Sequence, residues 1–181
     1  MNAGLIGAIL AFLPALIANP LAVVTGGGPP IDGCRKIGGR RILGDGKTWR
    51  GLIGGGLTGA VISILFAYGI SSFIDIYPGS NRSYLIIFSL SFGALIGDIM
   101  ASFIKRRIGK KRGAKTPFVD QYDFVVGAFV LTAITAPDWV IETYISGDGW
   151  IALVILIIGI PLLHRIVNII GYKWGFKNEP W

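Results

Sequence analysis

Three aspartates at the edges of long apolar segments, Asp98, Asp120 and Asp123, are the side chains whose type and spacing point most directly to chemistry. Asp98, Ser102 and Lys105 stand at i, i+4 and i+7, so a helix aligns them along one face near its end. A basic run follows, with Lys105, Arg106, Arg107, Lys110, Lys111, Arg112 and Lys115. Thr116-Pro117 then reads as an N-cap followed by proline at the first helical position, which sets Asp120 and Asp123 on one face of the next helix. An aspartate at the centre of a membrane helix costs about 2.5–3.5 kcal/mol, so three in one sector call for a compensating ligand. Carboxylates without His or Cys companions suit Mg²⁺, which takes one or two carboxylates and bridges phosphate oxygens. The three are therefore the metal candidates. The structural alternative is that they pair with Lys105, Arg106 or Lys115 and only brace the loop.

A second constellation fills residues 24–50: Gly26-Gly27-Gly28-Pro29-Pro30-Ile31-Asp32-Gly33, then Gly38-Gly39-Arg40-Arg41-Ile42-Leu43-Gly44-Asp45-Gly46-Lys47-Thr48-Trp49-Arg50-Gly51. Glycines let backbone N–H groups approach phosphate oxygens, and a helix opening at Thr48 presents its positive end with Lys47 and Arg50 beside it. Neither a P-loop nor GxGxxG is present, so no standard nucleotide motif is claimed. The alternative for this loop is a solvated basic segment on anionic lipid. The lone His164, beside Arg165 at the end of an apolar stretch, reads as a snorkelling interfacial residue. No Ser-His-Asp or Cys-His arrangement can be argued.

The elements that must position these groups are membrane helices. The 181 residues are 52% hydrophobic and only 15% charged, with a mean hydropathy of +0.65, which excludes an ordinary water-soluble globule. Five stretches reach the roughly 20 apolar residues a bilayer span needs: about 3–23, 51–74, 84–104, 119–141 and 150–170. Met1 to Val24 has no Lys or Arg, so the first is read as a retained helix, broken near Asn19-Pro20, and not as a secretory signal. The expectation is an all-α polytopic membrane protein with one domain over residues 1–181. Loop 24–50 holds six Lys and Arg, segment 105–118 seven and the tail three, leaving only Arg82 of the seventeen on the other side. Positive charge retained in short cytoplasmic loops then puts the N-terminus outside and the C-terminus and both basic loops, 24–50 and 105–118, in the cytoplasm. Trp49, Trp139, Trp150 and Trp174 fall at span ends, where aromatic rings favour the interface. Net charge is +7, but its interruption by apolar spans excludes nucleic acid as the partner and points to lipid headgroups or phosphate substrates. Cys34, the one cysteine, excludes an intramolecular disulfide. Small residues recur at Gly51, Gly55 and Gly59 and at Ser89, Gly93, Gly97 and Ala101, and these two faces are expected to pack on each other.

The two glycine-rich loop segments, together with Gly97-Asp98-xxx-Ser102-xx-Lys105-Arg106 and Pro117-xx-Asp120-Gln121-xx-Phe124, resemble the archaeal CDP-archaeol synthases, relatives of the CDP-diacylglycerol synthases. The likeness runs from the first loop into the fourth span, and Cys34 stands where glycine is usual in that family. The resemblance implies a membrane cytidylyltransferase that takes CTP and 2,3-bis-O-geranylgeranylglycerol 1-phosphate and, with Mg²⁺, makes the CDP-activated lipid and pyrophosphate. It implies catalytic roles for Asp98, Lys105, Asp120 and Asp123. Ser102, Lys105, Arg106, Lys115, Gln121, Gly27 and Asp32 would then bind CTP and its phosphates. Arg40, Arg41, Asp45, Lys47 and Arg50 would hold the lipid phosphate, which attacks from a groove between spans and needs no dedicated base because it is already anionic. Two other classes stay open. A CDP-alcohol phosphotransferase would carry DGxxAR…GxxxDxxxD, but here Asp32-Gly33 is followed by Cys34-Arg35-Lys36. An ion or lipid carrier would place polar groups on both membrane faces, whereas these gather on one.

Overall fold

Long apolar runs without interior charge become helices, and the computed structural model, which describes residues 4–77, 81–110, 116 and 118–176, places seven helices there: α1 (Gly4–Leu10), α2 (Leu13–Thr25), α3 (Trp49–Ile70), α4 (Asn81–Arg107), α5 (Val119–Thr135), α6 (Pro137–Tyr144) and α7 (Gly149–Lys173). Lys115, Pro117 and the side chain of His164 lie outside what is described. Among the described residues four stretches are long and apolar enough to cross a bilayer: Gly4–Thr25, Trp49–Ile70, Asn81–Arg107 and Gly149–Lys173. The expected span 119–141 is divided. Its helix α5 has 17 residues, about 25 Å of rise, and stops at Ala136 because Pro137 opens α6.

The first span breaks elsewhere than expected. The helix runs through Asn19-Pro20 and interrupts instead at Ala11–Phe12, where Pro14 occupies the first turn of α2. The interruption diverts the N–H groups of Phe12 and Ala15 to Ile9 and Phe12, which frees the carbonyls of Ala8 and Ala11. Buried carbonyls need donors, and two tyrosines from distant elements supply them: Tyr144 Oη donates to Ala8 at 3.0 Å and Tyr77 Oη to Ala11 at 2.9 Å. These tyrosines belong to an aromatic cluster with Phe12, Phe129 and Trp139, centroids 5.0–6.1 Å apart, that closes this end of the bundle. Trp139 is accordingly buried, not interfacial as its position in sequence suggested, whereas Trp49, Trp150 and Trp174 are exposed.

The small-residue faces meet mainly other helices than the one expected. Gly51 and Gly55 on α3 lie against Ala22 of α2, and Gly59 lies between Ser91 of α4 and Ala18 of α2. Gly93 and Gly97 on α4 lie against Gly127 of α5: a Cβ on Gly93 would come within 2.7 Å of the Gly127 carbonyl, and one on Gly97 within 3.0 Å of the Gly127 Cα. α4–α5 and α2–α3 are the two most extensive helix contacts. Without a hydrophobic drive between helices in lipid, close backbone approach of this kind is what supplies packing energy. α3 and α4 meet through a different set, with Phe92 covering Gly56 and Ser91 Oγ donating to the Gly56 carbonyl at 2.9 Å.

Candidate active site

The loop between α2 and α3 carries most of the construction. Thr48 is extended and caps α3 by accepting from Gly51 N–H at 3.1 Å, as the sequence led one to expect. The loop enters and leaves side by side, with Ile31 N–H on the Lys47 carbonyl at 2.8 Å. Between these points stands a small hairpin not foreseen in the sequence, β1 (Lys36–Ile37) paired antiparallel with β2 (Arg40–Arg41). Gly38 and Gly39, at φ +58° and +76°, make its two-residue turn, a geometry that needs positive φ at both central positions. Here the two glycines serve the turn.

Asp32 organises the same loop. Its side chain has no exposed surface and accepts from Arg41 at 2.8 and 3.2 Å, from Leu43 N–H at 3.0 Å, Gly44 N–H at 3.1 Å and Cys34 N–H at 3.1 Å. With its acceptor positions spent on the loop, it faces the loop's own backbone and Arg41. Cys34 takes φ +63°, the left-handed conformation glycine adopts freely, to deliver that N–H. The Arg41 guanidinium above all, helped by the three backbone N–H groups, holds the Asp32 carboxyl well below the usual carboxylate range against the opposing effect of desolvation. A depressed folded pKa stabilises above the unfolded value of about 3.9, and the contribution fades as pH falls from there toward the folded value. Asp32→Asn should therefore lower the thermal midpoint in detergent by a few degrees at pH 5–8, with the gap to wild type narrowing below about pH 4. A gap that stays constant to pH 2 would remove Asp32 as the loop's electrostatic anchor.

The organised loop is latched to α4 by Arg107, which the sequence assigned no role. Its guanidinium donates to the carbonyls of Ile37 at 2.8 Å, Arg41 at 2.6 Å and Arg40 at 3.3 Å, and Arg40 returns a bond to the Arg107 carbonyl at 3.1 Å. Further along the same loop, the Lys47 ammonium pairs with the Asp98 carboxylate of α4.

Asp98 from α4 and Asp120 and Asp123 from α5 line one cavity of about 290 Å³, with Lys47 on its rim and apolar walls from Leu16, Val23, Ile160 and Leu163 of α2 and α7. The close approach of Gly97 to Gly127 is what brings Asp98 and Asp123 near enough to interact electrostatically. Asp120 accepts from Lys105 Nζ at 2.6 Å and from Thr116 N–H at 2.7 Å. Thr116 is thus held by Asp120 and is not the helix cap; Phe118, at φ +69°, precedes α5. Asp123 accepts from the N–H of Phe124 at 2.7 Å. Among the described residues no three His, Cys, Asp or Glu side chains form a ready metal cluster; the carboxylates share a cavity, and two of them hold ammonium groups.

The other expected residues distribute unevenly. Ser102 is buried on α4 one turn past Asp98, Arg106 stands in the last turn of α4, and Gln121 in the first turn of α5. Gly27 lies in open loop at φ +90°. Arg41 is committed to Asp32 and to Asp45, at 2.6 Å, and Arg50 is exposed beside Gly28. Of the five residues expected on a lipid phosphate, only Lys47 lines the main cavity. Asn19 and Asn168, which face it from α2 and α7, were passed over because single asparagines in apolar helices carry no motif.

Residues 2–181 match the family model described as CarS-like CDP-archaeol synthase. The chain is 47% identical to the CDP-archaeol synthase of Methanosarcina barkeri, over 93% of this chain and 99% of that one, and 44% identical to the CDP-archaeol synthase of Halobacterium salinarum, over 96% and 95%. A solved structure described as an intramembrane enzyme for archaeal membrane lipids biosynthesis superposes with a TM-score of 0.64 at 35% identity, covering 90% of this chain and 92% of that one.

Proposed function

Because the chain belongs to the CDP-archaeol synthase family, an enzyme family of archaeal membrane lipid synthesis, we propose that its cavity joins CTP to the phosphate of an unsaturated archaeal ether lipid, 2,3-bis-O-geranylgeranylglycerol 1-phosphate. One observation carries the reading: three carboxylates and Lys47 line a cavity to which α2 and α7 contribute mainly apolar side chains, with Asn19 and Asn168 the polar exceptions. A triphosphate requires the first and an isoprenoid chain the second.

In the transfer, an oxygen of the lipid phosphate attacks the α-phosphorus of CTP. A P–O bond forms there, the bond from the α-phosphorus to the bridging oxygen breaks, and pyrophosphate leaves with the electron pair. Both partners are phosphates, so the chain's work is positioning and charge neutralisation and not covalent catalysis. Lys105, held at Asp120, and Lys47, held at Asp98, are the cations poised for the phosphates; Arg106 and Lys115 belong to the same basic segment. The donor set fits Mg²⁺, being all oxygen from Asp98, Asp120 and Asp123, and its ammonium partners are exchangeable for a metal. When bound, Mg²⁺ would neutralise phosphate charge. The concentration of Lys and Arg in the loops supports a cytoplasmic setting for this end of the bundle, an outside N-terminus and five crossings in which α5 and α6 together complete one.

The test is pyrophosphate release by the purified chain in detergent, given CTP, Mg²⁺ and the lipid phosphate. Release that needs all three supports the reading. Consumption of a CDP-lipid without pyrophosphate would replace it with an alcohol phosphotransferase.

A further inference from the structure

Asn19 is polar in an otherwise apolar helix and lines both the main cavity and the adjoining one of about 80 Å³ between α2, α3 and α4, which also touches Lys47 and Asp98. Its Oδ1 is buried with no hydrogen-bond partner. Such an orphaned acceptor is costly and uncommon in a native interior. A second acceptor stands one turn away: Pro20 has no N–H, so the carbonyl of Leu16, also on the cavity wall, loses its helical donor. The nearby ammonium of Lys47 is engaged by Asp98. This wall therefore offers a ligand two acceptors one turn apart, Asn19 Oδ1 and the Leu16 carbonyl.

The two substrates differ in what they could supply. The glycerol diether and its isoprenoid chains carry no hydrogen-bond donor. CTP carries several, and its exocyclic amine offers two N–H groups from one nitrogen, the complement of two neighbouring acceptors. Uracil has a carbonyl at that position and would set acceptor against acceptor. Resting on the CTP reading of the cavity, we propose that Asn19 reads the cytosine base by accepting a hydrogen bond from its 4-amino group, making it a specificity-determining residue of the transfer. A site built on hydrogen bonds discriminates far more sharply against an analogue that leaves its polar groups unpaired than an apolar pocket can.

The experiment compares kcat/KM for CTP, UTP, 2′-deoxy-CTP and the nucleotide whose cytosine 4-amino group is replaced by hydrogen, at fixed lipid phosphate and Mg²⁺. Wild type should prefer CTP over UTP and over the des-amino nucleotide. Asn19→Leu should lower the CTP value about 10–100-fold while leaving those for UTP and the des-amino nucleotide nearly unchanged, so that the preferences collapse; Asn19→Asp, which keeps an acceptor, should retain them. Unchanged CTP-to-UTP ratios in Asn19→Leu overturn the assignment, as does a loss confined to the CTP-to-deoxy-CTP ratio, which would move the contact to the ribose. If Asn19→Leu does not fold, equal use of CTP and the des-amino nucleotide by wild type overturns the assignment without any variant. Absence of CTP turnover by wild type overturns the CTP reading itself, a result distinct from any change of ratio.

Discussion

Asp98→Asn is expected to lower CMP transfer at least about 10³-fold while leaving the chain folded and monodisperse in detergent. The magnitude follows from what the carboxylate does: it is the one acid of the cavity contributed by α4, it holds Lys47, and it lies in the field of Asp123. Removing its charge frees Lys47 and takes one oxygen ligand of full charge from any bound cation. Loss of one preorganised charge-stabilising group typically costs 10²–10³ in rate, and here two interactions go together. Folding is spared because the side chain keeps its shape, is about a quarter exposed, and among the described residues holds the Lys47 side chain and no backbone N–H. Near-normal transfer by this variant, measured as pyrophosphate release, would remove Asp98 from the site.

Gly97→Val is expected to cost about 1–3 kcal/mol of stability and, beyond that, to abolish transfer in whatever fraction still folds. A Cβ at Gly97 strikes the backbone carbonyl of Asp123 and approaches Gly127 Cα to 3.0 Å, so α4 and α5 must separate. Neither obstacle is a flexible side chain that could turn away. Separation carries Asp98 away from Asp123, which couples the packing defect to chemistry. Gly69→Val is the matched control, since nothing lies within 4 Å of the Cβ it would add. The thermal midpoint and the initial rate, read on both variants, decide the matter: equal behaviour of the two would mean that the Gly97–Gly127 contact does not set the site.

The three aspartates were legible because a carboxylate in an apolar helix is expensive and needs a reason, and one cavity indeed holds all three. Arg107 was not. It sits in a run of seven bases of which Lys105, Arg106 and Lys115 were given roles and it was not, and the carbonyls it meets, some seventy residues earlier in the chain, are what mark it out. Asp32 was legible as important, but its motif could not tell a ligand contact from a loop anchor; the backbone N–H groups that enclose it are set by the hairpin turn at Gly38-Gly39. Four of the five expected apolar stretches return as helices long enough to span, the fourth stretch being divided at Ala136-Pro137, and the break in the first moved from Pro20 to Ala11–Phe12. A proline weakens a helix wherever it stands, and the site of interruption is the one where Tyr77 and Tyr144 can satisfy the freed carbonyls.

By itself, then, the sequence determined the membrane setting, the helical class and the family likeness, because hydropathy and local motif spacing are properties of residues taken singly or at fixed local separation. Tertiary structure alone decided which glycine face meets which helix, which bases are latches and which face the cavity, and that Asn19 stands in its wall. Those outcomes depend on close contacts between segments far apart in the chain, and such contacts are decided by backbone approach and donor–acceptor matching across helices, which no local pattern encodes.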